Sequence, residues 1–269
     1  MDFLHDVEID SLIDIAIKAG AGIMAIYNTD YTVSYKNDQS PLTDADTAAN
    51  QIIVDSLKAI SDYPLISEEE KEIPYQIRKD YETYWLIDPL DGTKEFVKRN
   101  GEFTVNIALI KNGVPIMGVV YAPAMTTLYY ASEKTGAFKC EQVTIDSSLD
   151  EISKNSIKLE NGSERSAKTK LTIVASKSHL SSETQDFIDL MKEKYKTVDT
   201  ISKGSSLKLC MVAEGTADVY PRFAPTMEWD TAAGHAICRI AGYQVNEYPA
   251  DIPLKYNKEN LLNPWFIVM

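Results

Sequence analysis

The stretch Tyr84-Trp85-Leu86-Ile87-Asp88-Pro89-Leu90-Asp91-Gly92-Thr93 constrains this chain more than any other. Four large apolar residues in a row, Tyr84 to Ile87, read as a short buried strand. The strand runs into two carboxylates three residues apart, across a turn that begins at Pro89 and is followed by Gly92. Asp88 and Asp91 can then face one point, with the Leu90 carbonyl between them as a third oxygen. Mg²⁺ takes oxygen ligands at about 2.0–2.1 Å in near-octahedral order, and carboxylates held at a strand end supply them. An ordinary acidic turn draws on the same residue types.

A second apolar run, Pro64-Leu65-Ile66, leads likewise into Ser67-Glu68-Glu69-Glu70. Glu68 and Glu69 are anchored at a strand end, where ligands collect, whereas Glu70 reads as solvated charge. Thr43-Asp44-Ala45-Asp46 precedes the helical pattern Ala48, Ile52, Ile53, Leu57 and matches a capping box, so Asp46 serves either a helix start or a reaction. Asp230, before Thr231-Ala232-Ala233-Gly234, reads as an N-cap whose fixed direction also suits a charged site. Gly204-Ser205-Ser206, before Leu207-Lys208-Leu209, resembles a helix start that holds an anion on backbone N–H groups.

Other chemistries find little support. His5, His179 and His235 are far apart and form no HExxH pattern, and neither a Walker A motif nor GxGxxG is present. The three cysteines, Cys140, Cys210 and Cys238, match no zinc or redox spacing, and Cys210 and Cys238 read as packing residues in helices. An odd count fits a reducing cytoplasm, where the protein is expected free or membrane-peripheral. No stretch is apolar for long enough to span a bilayer. With 27 Lys and Arg against 40 Asp and Glu, the formal charge of −13 repels polymeric nucleic acid. It does not exclude a small anionic substrate, because bound divalent cations reverse the field of a carboxylate cleft.

The rest of the 269 residues divide into two parts, with the boundary expected near 146. A long amphipathic helix over 4–27 and a strand at Thr32 to Lys36 come first, then a polar loop, Asn37 to Pro41. Thr104 to Ile110, an Asn112-Gly113 turn, Val114 to Tyr121 and Thr127 to Ala131 predict an antiparallel meander. Residues 146–170 read as a surface excursion. Beyond it, strands at Leu171 to Ala175, near Val198, at Ala217 to Tyr220 and near Phe266 alternate with helices at 182–194, 205–214 and 230–241, an α/β signature.

Taken together, these segments resemble the lithium-sensitive, Mg²⁺-dependent inositol monophosphatase superfamily. Trp85-Leu86-Ile87-Asp88-Pro89-Leu90-Asp91-Gly92-Thr93 is similar to its central signature, and Trp229-Asp230-Thr231-Ala232-Ala233-Gly234 to its C-terminal one. Asp91-Gly92-Thr93-Lys94-Glu95-Phe96, Lys98 to Asn106, Ser67-Glu68-Glu69 and Gly204-Ser205-Ser206-Leu207-Lys208 resemble most the CysQ-type 3′(2′),5′-bisphosphate nucleotidases. The resemblance implies a layered αβαβα sandwich of the inositol monophosphatase and fructose-1,6-bisphosphatase type. An α+β part, 1–146, would carry the metal-binding carboxylates and the antiparallel sheet, and an α/β part, 147–269, would close the cleft.

It also implies two or three Mg²⁺ ions per site. Glu68, Asp88 and the Leu90 carbonyl would hold one, and Asp88, Asp91 and Asp230 a second. Thr93 with Asp46 would orient and deprotonate the attacking water, and Glu69 would support a further water or metal. Glu68, Leu90, Asp91, Gly92, Thr93, Gly204, Ser205, Ser206 and Asp230 would surround the substrate. Met227-Glu228 before Trp229 departs from the family pattern, in which some relatives are uncharged, and Glu228 is expected to tune the site. The activity implied is removal of the 3′-phosphate from adenosine 3′,5′-bisphosphate, a by-product of sulfate activation, to give AMP. An inositol or sugar phosphatase would share the same ligands, and a non-catalytic nucleotide or metal sensor on this fold is the alternative from another class. Lys94, Lys98, Arg99, Lys203, Lys208 and Arg222 are the cations available for a second phosphate.

Overall fold

A computed structural model describes residues 7–29, 33–35, 41–160, 169–175 and 181–269. His5, His179 and the predicted loop residues Asn37 to Ser40 lie outside the described residues. Helix α1 (Ile9–Tyr27) buries Leu12, Ala16, Ala19 and Ile23, spaced by three and four residues, and α2 (Asp44–Ile60) buries Ala45, Ala49, Ile53 and Leu57 in the same way. Between them β1 (Val33–Tyr35) pairs antiparallel with β2 (Pro41–Thr43).

The chain then enters a seven-stranded sheet. It comprises β3 (Leu65–Ser67), β4 (Thr83–Asp91), β5 (Thr104–Lys111), β6 (Val114–Ala122), β7 (Thr127–Ser132), β8 (Gly136–Glu141) and β9 (Ile157–Leu159), in that spatial order. Short helices α3 (Tyr75–Arg78), α4 (Thr93–Val97) and α5 (Leu149–Asn155) punctuate it. Only β3 and β4 run parallel; every later pair in this sheet is antiparallel. The β5–β6 hairpin closes through Asn112 (φ 51°) and Gly113 (φ 72°), the two left-handed positions that a tight hairpin turn demands. The meander therefore continues past the predicted third strand by two more, and β9 lies beyond residue 146.

The remaining elements are β10 (Lys170–Ala175), α6 (Ser182–Lys194), β11 (Thr197–Ser202), α7 (Leu207–Ala213), β12 (Tyr220–Arg222), α8 (Glu228–Ile240), β13 (Val245–Glu247) and β14 (Phe266–Val268). β10 and β11 pair in parallel, β14 lies between β12 and β13, and a bridge from Ile173 to Val219 links the two small sheets. The strand expected at Ala217 to Tyr220 begins instead at Tyr220, with Val219 in that bridge.

Burial defines the layers. Successive side chains of β4 point to opposite faces. Trp85 and Ile87 join α1 and α2 in one core, while Tyr84 and Leu86 join α7, α8 and β14 in another. A third cluster places Phe187 and Ile188 of α6 against Leu171, Ile173 and Ile267. The result is helix, sheet, helix, sheet, helix. Helix α8 approaches β6 so closely that a Cβ on Gly118 would stand 2.6 Å from the Ala233 carbonyl oxygen. Only glycine lets the helix carrying Asp230 sit that near the large sheet.

Candidate active site

The parallel pairing of β3 with β4 puts the two acidic strand ends side by side. Ser67 is opposite Ile87, and the Glu68 N–H donates to the Ile87 carbonyl (3.2 Å), so Glu68 leaves the sheet beside Asp88. Along a regular strand, residues three apart face opposite sides. A register shift in the β4–β5 ladder between Asp88 and Asp91 breaks that alternation. The Leu90 N–H turns back to Asp88 Oδ1 (3.1 Å), and Gly92 follows at φ 90°, hemmed in by the Glu102 carbonyl and Ser205.

Glu68, Asp88 and Asp230 each offer a carboxylate oxygen, and these atoms all lie within 4.8 Å of one another. Asp230 occupies the first turn of α8 rather than its N-cap: the helix starts at Glu228, and the Asp230 carboxylate accepts the Met227 N–H at 2.9 Å. Asp91 stands outside that trio, with Oδ2 2.9 Å from the Ser206 hydroxyl. Burial pushes the Asp88 and Asp230 carboxyls well above the usual carboxylate range, and the adjacent negative charges of Glu68 and Asp91 push them further. Asp91 is also raised by burial, against the opposing pull of Lys208 and the Ser206 hydrogen bond. A multivalent cation would offset the cost of ionising Asp88 and Asp230 in this crowded, buried place, and an all-oxygen donor set suits Mg²⁺, Ca²⁺ or Mn²⁺. The residues present fit a metal.

Asp46 caps α2 and also faces Thr93. Its Oδ2 accepts the Thr43 N–H (2.8 Å) and the Thr43 hydroxyl (2.7 Å), completing the capping box of α2, while Oδ1 lies 3.2 Å from Thr93 Oγ1. Thr93 Oγ1 is also 3.3 Å from the Leu90 carbonyl. One turn along α2, Asn50 donates to Glu70 Oε1 and accepts from Ser67 Oγ, both at 2.7 Å, tying the acidic loop that includes Glu69 to the helix of Asp46. Exposed Glu70 is thus more than solvated charge.

A cavity of about 120 Å³ opens beside Asp91 and Asp230, lined among others by Gly204, Ser205, Lys208, Tyr220 and Arg222. Lys208 is 6% exposed, and burial holds its ammonium down at about 8. The Ser205 hydroxyl and Arg222 Nε are buried with no hydrogen-bond partner among the described residues. The Gly204 N–H is already donated to Glu102 Oε2 (2.8 Å), and the helix that follows spans only seven residues, so side chains rather than a helix start line this cavity.

The structure also sorts the remaining candidates. Arg99 donates to the Tyr27 and Thr29 carbonyls and Lys203 pairs with Glu102, whereas Lys94, Lys208 and Arg222 line the cavity. Fully buried Glu228 accepts from the Asn257 and Lys258 N–H groups and pairs with the Lys258 ammonium, so it anchors a loop instead of tuning the site. His235, Cys210 and Cys238 are buried in packing positions. The contacts of Asn106 and Ser206 with Asp91 have no local signal: Asn106 ends the segment Lys98 to Asn106, but nothing in that segment shows that it faces Asp91.

Residues 6–264 match the inositol monophosphatase family. The chain is 43% identical over 268 residues to the 3′(2′),5′-bisphosphate nucleotidase CysQ of Escherichia coli strain K12, covering 97% of this chain and 98% of that one. A counterpart from Haemophilus influenzae is 31% identical over 99% of this chain and 94% of its own. Among solved structures, CysQ from Bacteroides thetaiotaomicron superposes with a TM-score of 0.85 at 50% identity, over 96% of this chain and 95% of that one. A Thermotoga maritima IMPase gives 0.70 at 25%, over 96% and 90%. Fold, carboxylate cluster and sequence agree: the chain belongs to the inositol monophosphatase family.

Proposed function

We propose that this protein is a Mg²⁺-dependent 3′(2′),5′-bisphosphate nucleotidase that removes the 3′-phosphate of adenosine 3′,5′-bisphosphate. The observation that carries the reading is the juxtaposition of the Glu68–Asp88–Asp230 trio with a cavity lined by Lys208 and Arg222. The trio suits metals around one phosphate, and buried Lys208 with partly buried Arg222 suits a second. The CysQ relatives, similar over nearly the whole chain, support the same substrate class.

Glu68, Asp88 and the Leu90 carbonyl would hold one ion, and Asp88, Asp91 and Asp230 another, with Glu69 beside a third. When bound, divalent cations supply Lewis-acid charge that lowers the pKa of water and neutralises a phosphoryl group. The chain's own residues provide the base. The two hydrogen bonds from Thr43 hold Asp46 Oδ2, which leaves Oδ1 to take the Thr93 proton as Thr93 Oγ1 takes one from the attacking water. The water oxygen forms the new P–O bond, the bond from phosphorus to the ribose 3′ oxygen breaks, that oxygen keeps the bonding pair and takes a proton from solvent, and AMP leaves. Ser205 and Gly204 border the cavity where Lys208 and Arg222 receive the 5′-phosphate. In this reading residues 147–269 close the cleft by contributing Asp230 and these cations. The free, buried cysteines suit a cytoplasmic enzyme, and no helix among the described residues is long and apolar enough to cross a membrane.

The test is phosphate release from adenosine 3′,5′-bisphosphate, 3′-AMP and inositol 1-phosphate. Loss of the 5′-phosphate should lower kcat/KM at least about tenfold, since remote binding energy helps position the reacting group. Activity should require Mg²⁺ and fall with Li⁺. Comparable kcat/KM for all three substrates would move the enzyme to broad sugar or inositol phosphatases, and full activity in a chelator would remove the metals.

A further inference from the structure

Behind Asp91 lies a pair of polar side chains that none of these steps uses. The Ser206 hydroxyl stands 2.9 Å from Asp91 Oδ2 and 2.6 Å from the Asp230 carbonyl oxygen, and it accepts from Asn106 Nδ2 at 2.8 Å. The same amide nitrogen is 3.4 Å from Asp91 Oδ2. Asn106 lies on β5, Asp91 at the end of β4, Asp230 in the first turn of α8, and Ser206 immediately before α7. One hydroxyl thus gathers four elements around the carboxylates. Both side chains are 1% exposed, and the hydroxyl's proton and one of its lone pairs are engaged, which leaves it little to offer a substrate.

Asn106 has a further peculiarity. It is directly opposite Asp88 in the β4–β5 ladder, and its Oδ1 is buried with no hydrogen-bond partner among the described residues. An unpaired buried carbonyl is destabilising, and an apolar residue would fill the same strand position without that penalty. Stability alone gives no reason for an amide here; its N–H groups, aimed at Ser206 and Asp91, do.

We propose that Ser206 and Asn106 are positioning residues that fix the Asp91 carboxylate, engaging Oδ2 so that Oδ1 is presented to a divalent cation. The proposal rests on Asp91 being a cation ligand. Partners of metal-ligating groups typically change affinity or activity about 10–100-fold when removed.

The test is Mn²⁺ binding to the metal-free full-length protein, followed by electron paramagnetic resonance without substrate. Ser206→Ala should weaken Mn²⁺ binding about 10–100-fold, and Ser206→Thr, which keeps the hydroxyl, should recover most of the loss. Asn106→Leu guards against a folding defect, because it removes the N–H groups while relieving the unpaired oxygen. It should weaken Mn²⁺ binding with Tm unchanged or raised, a combination that a merely structural role does not produce. In turnover, both variants should need more Mg²⁺ for half-maximal rate and regain most of kcat at saturation. Wild-type Mn²⁺ affinity in Asn106→Leu or Ser206→Ala, or equal loss in Ser206→Thr, would overturn the proposal. Binding is read without substrate, so the outcome is independent of the nucleotidase assignment.

Discussion

Asp46→Asn separates the cap that this side chain forms from the base that it is proposed to be. Asparagine caps helices about as well as aspartate, and its amide oxygen can keep the bonds from the Thr43 N–H and hydroxyl now made to Oδ2. The fold loses the charge assistance of those bonds and an anion at a helix N-terminus, about 1–2 kcal/mol together. On the other lobe an NH₂ replaces Oδ1. The amide would donate to Thr93 Oγ1, whose own proton then goes to the Leu90 carbonyl, and no acceptor is left for a proton from water. Loss of a general base costs about 10²–10⁴ in rate, or roughly 3–5 kcal/mol of barrier. The catalytic effect should therefore exceed the folding effect in free energy. Thr43→Ala provides the contrast: it removes the cap at a cost of about 1 kcal/mol but leaves Asp46 Oδ1 facing Thr93. Steady-state kcat at saturating Mg²⁺ and urea unfolding, measured on both variants, decide the matter. Near-normal kcat in Asp46→Asn, or an equal kcat loss in Thr43→Ala, would return Asp46 to a purely structural role.

Further outcomes follow from the same geometry. Asp91→Asn and Asp230→Asn should each lower kcat at least about 10²-fold without lowering the Tm of the metal-free protein, because each removes a charge that repels Asp88; normal turnover at saturating Mg²⁺ would exclude that residue from the metal site. Arg222→Gln should cut kcat/KM for adenosine 3′,5′-bisphosphate at least about tenfold and leave 3′-AMP hydrolysis nearly unchanged, and equal losses on both would place Arg222 away from the 5′-phosphate. Burial, with a smaller push from Arg239, depresses His235 to about 3, so the folded state binds fewer protons than the unfolded state below pH 6.5. Stability from this group is present above pH 6.5 and drains as pH falls toward 3, by about 1.4 kcal/mol per unit. Urea unfolding at pH 7 and pH 5 should show that slope in the wild type and a flatter one in His235→Asn; identical slopes would refute it.

Much of the fold was written locally. The three- and four-residue spacing of Leu12, Ala16, Ala19 and Ile23 requires a helix, Asn112-Gly113 requires a tight hairpin, and Thr43 with Asp46 is a cap whether or not it is a catalyst. Short strands with weak apolar runs, such as Ile157–Leu159, escaped because pairing rather than pattern makes them strands.

The sequence by itself marked the candidates for chemistry: apolar runs that end in Glu68, Asp88 and Asp91 cannot bury their carboxylates without a partner for the charge. Tertiary structure alone decided their company. Parallel pairing of β3 with β4 sets Glu68 beside Asp88, the register shift re-aims Asp91, and Ser206 crosses 115 positions to reach it. It also separated Arg222, at the cavity, from Arg99, tied to the end of α1, and paired Glu228 with Lys258. Local periodicity reflects interactions between residues a few positions apart, whereas these contacts join segments whose separation along the chain leaves no trace in either segment. They exist only once the layers have closed on their shared cores.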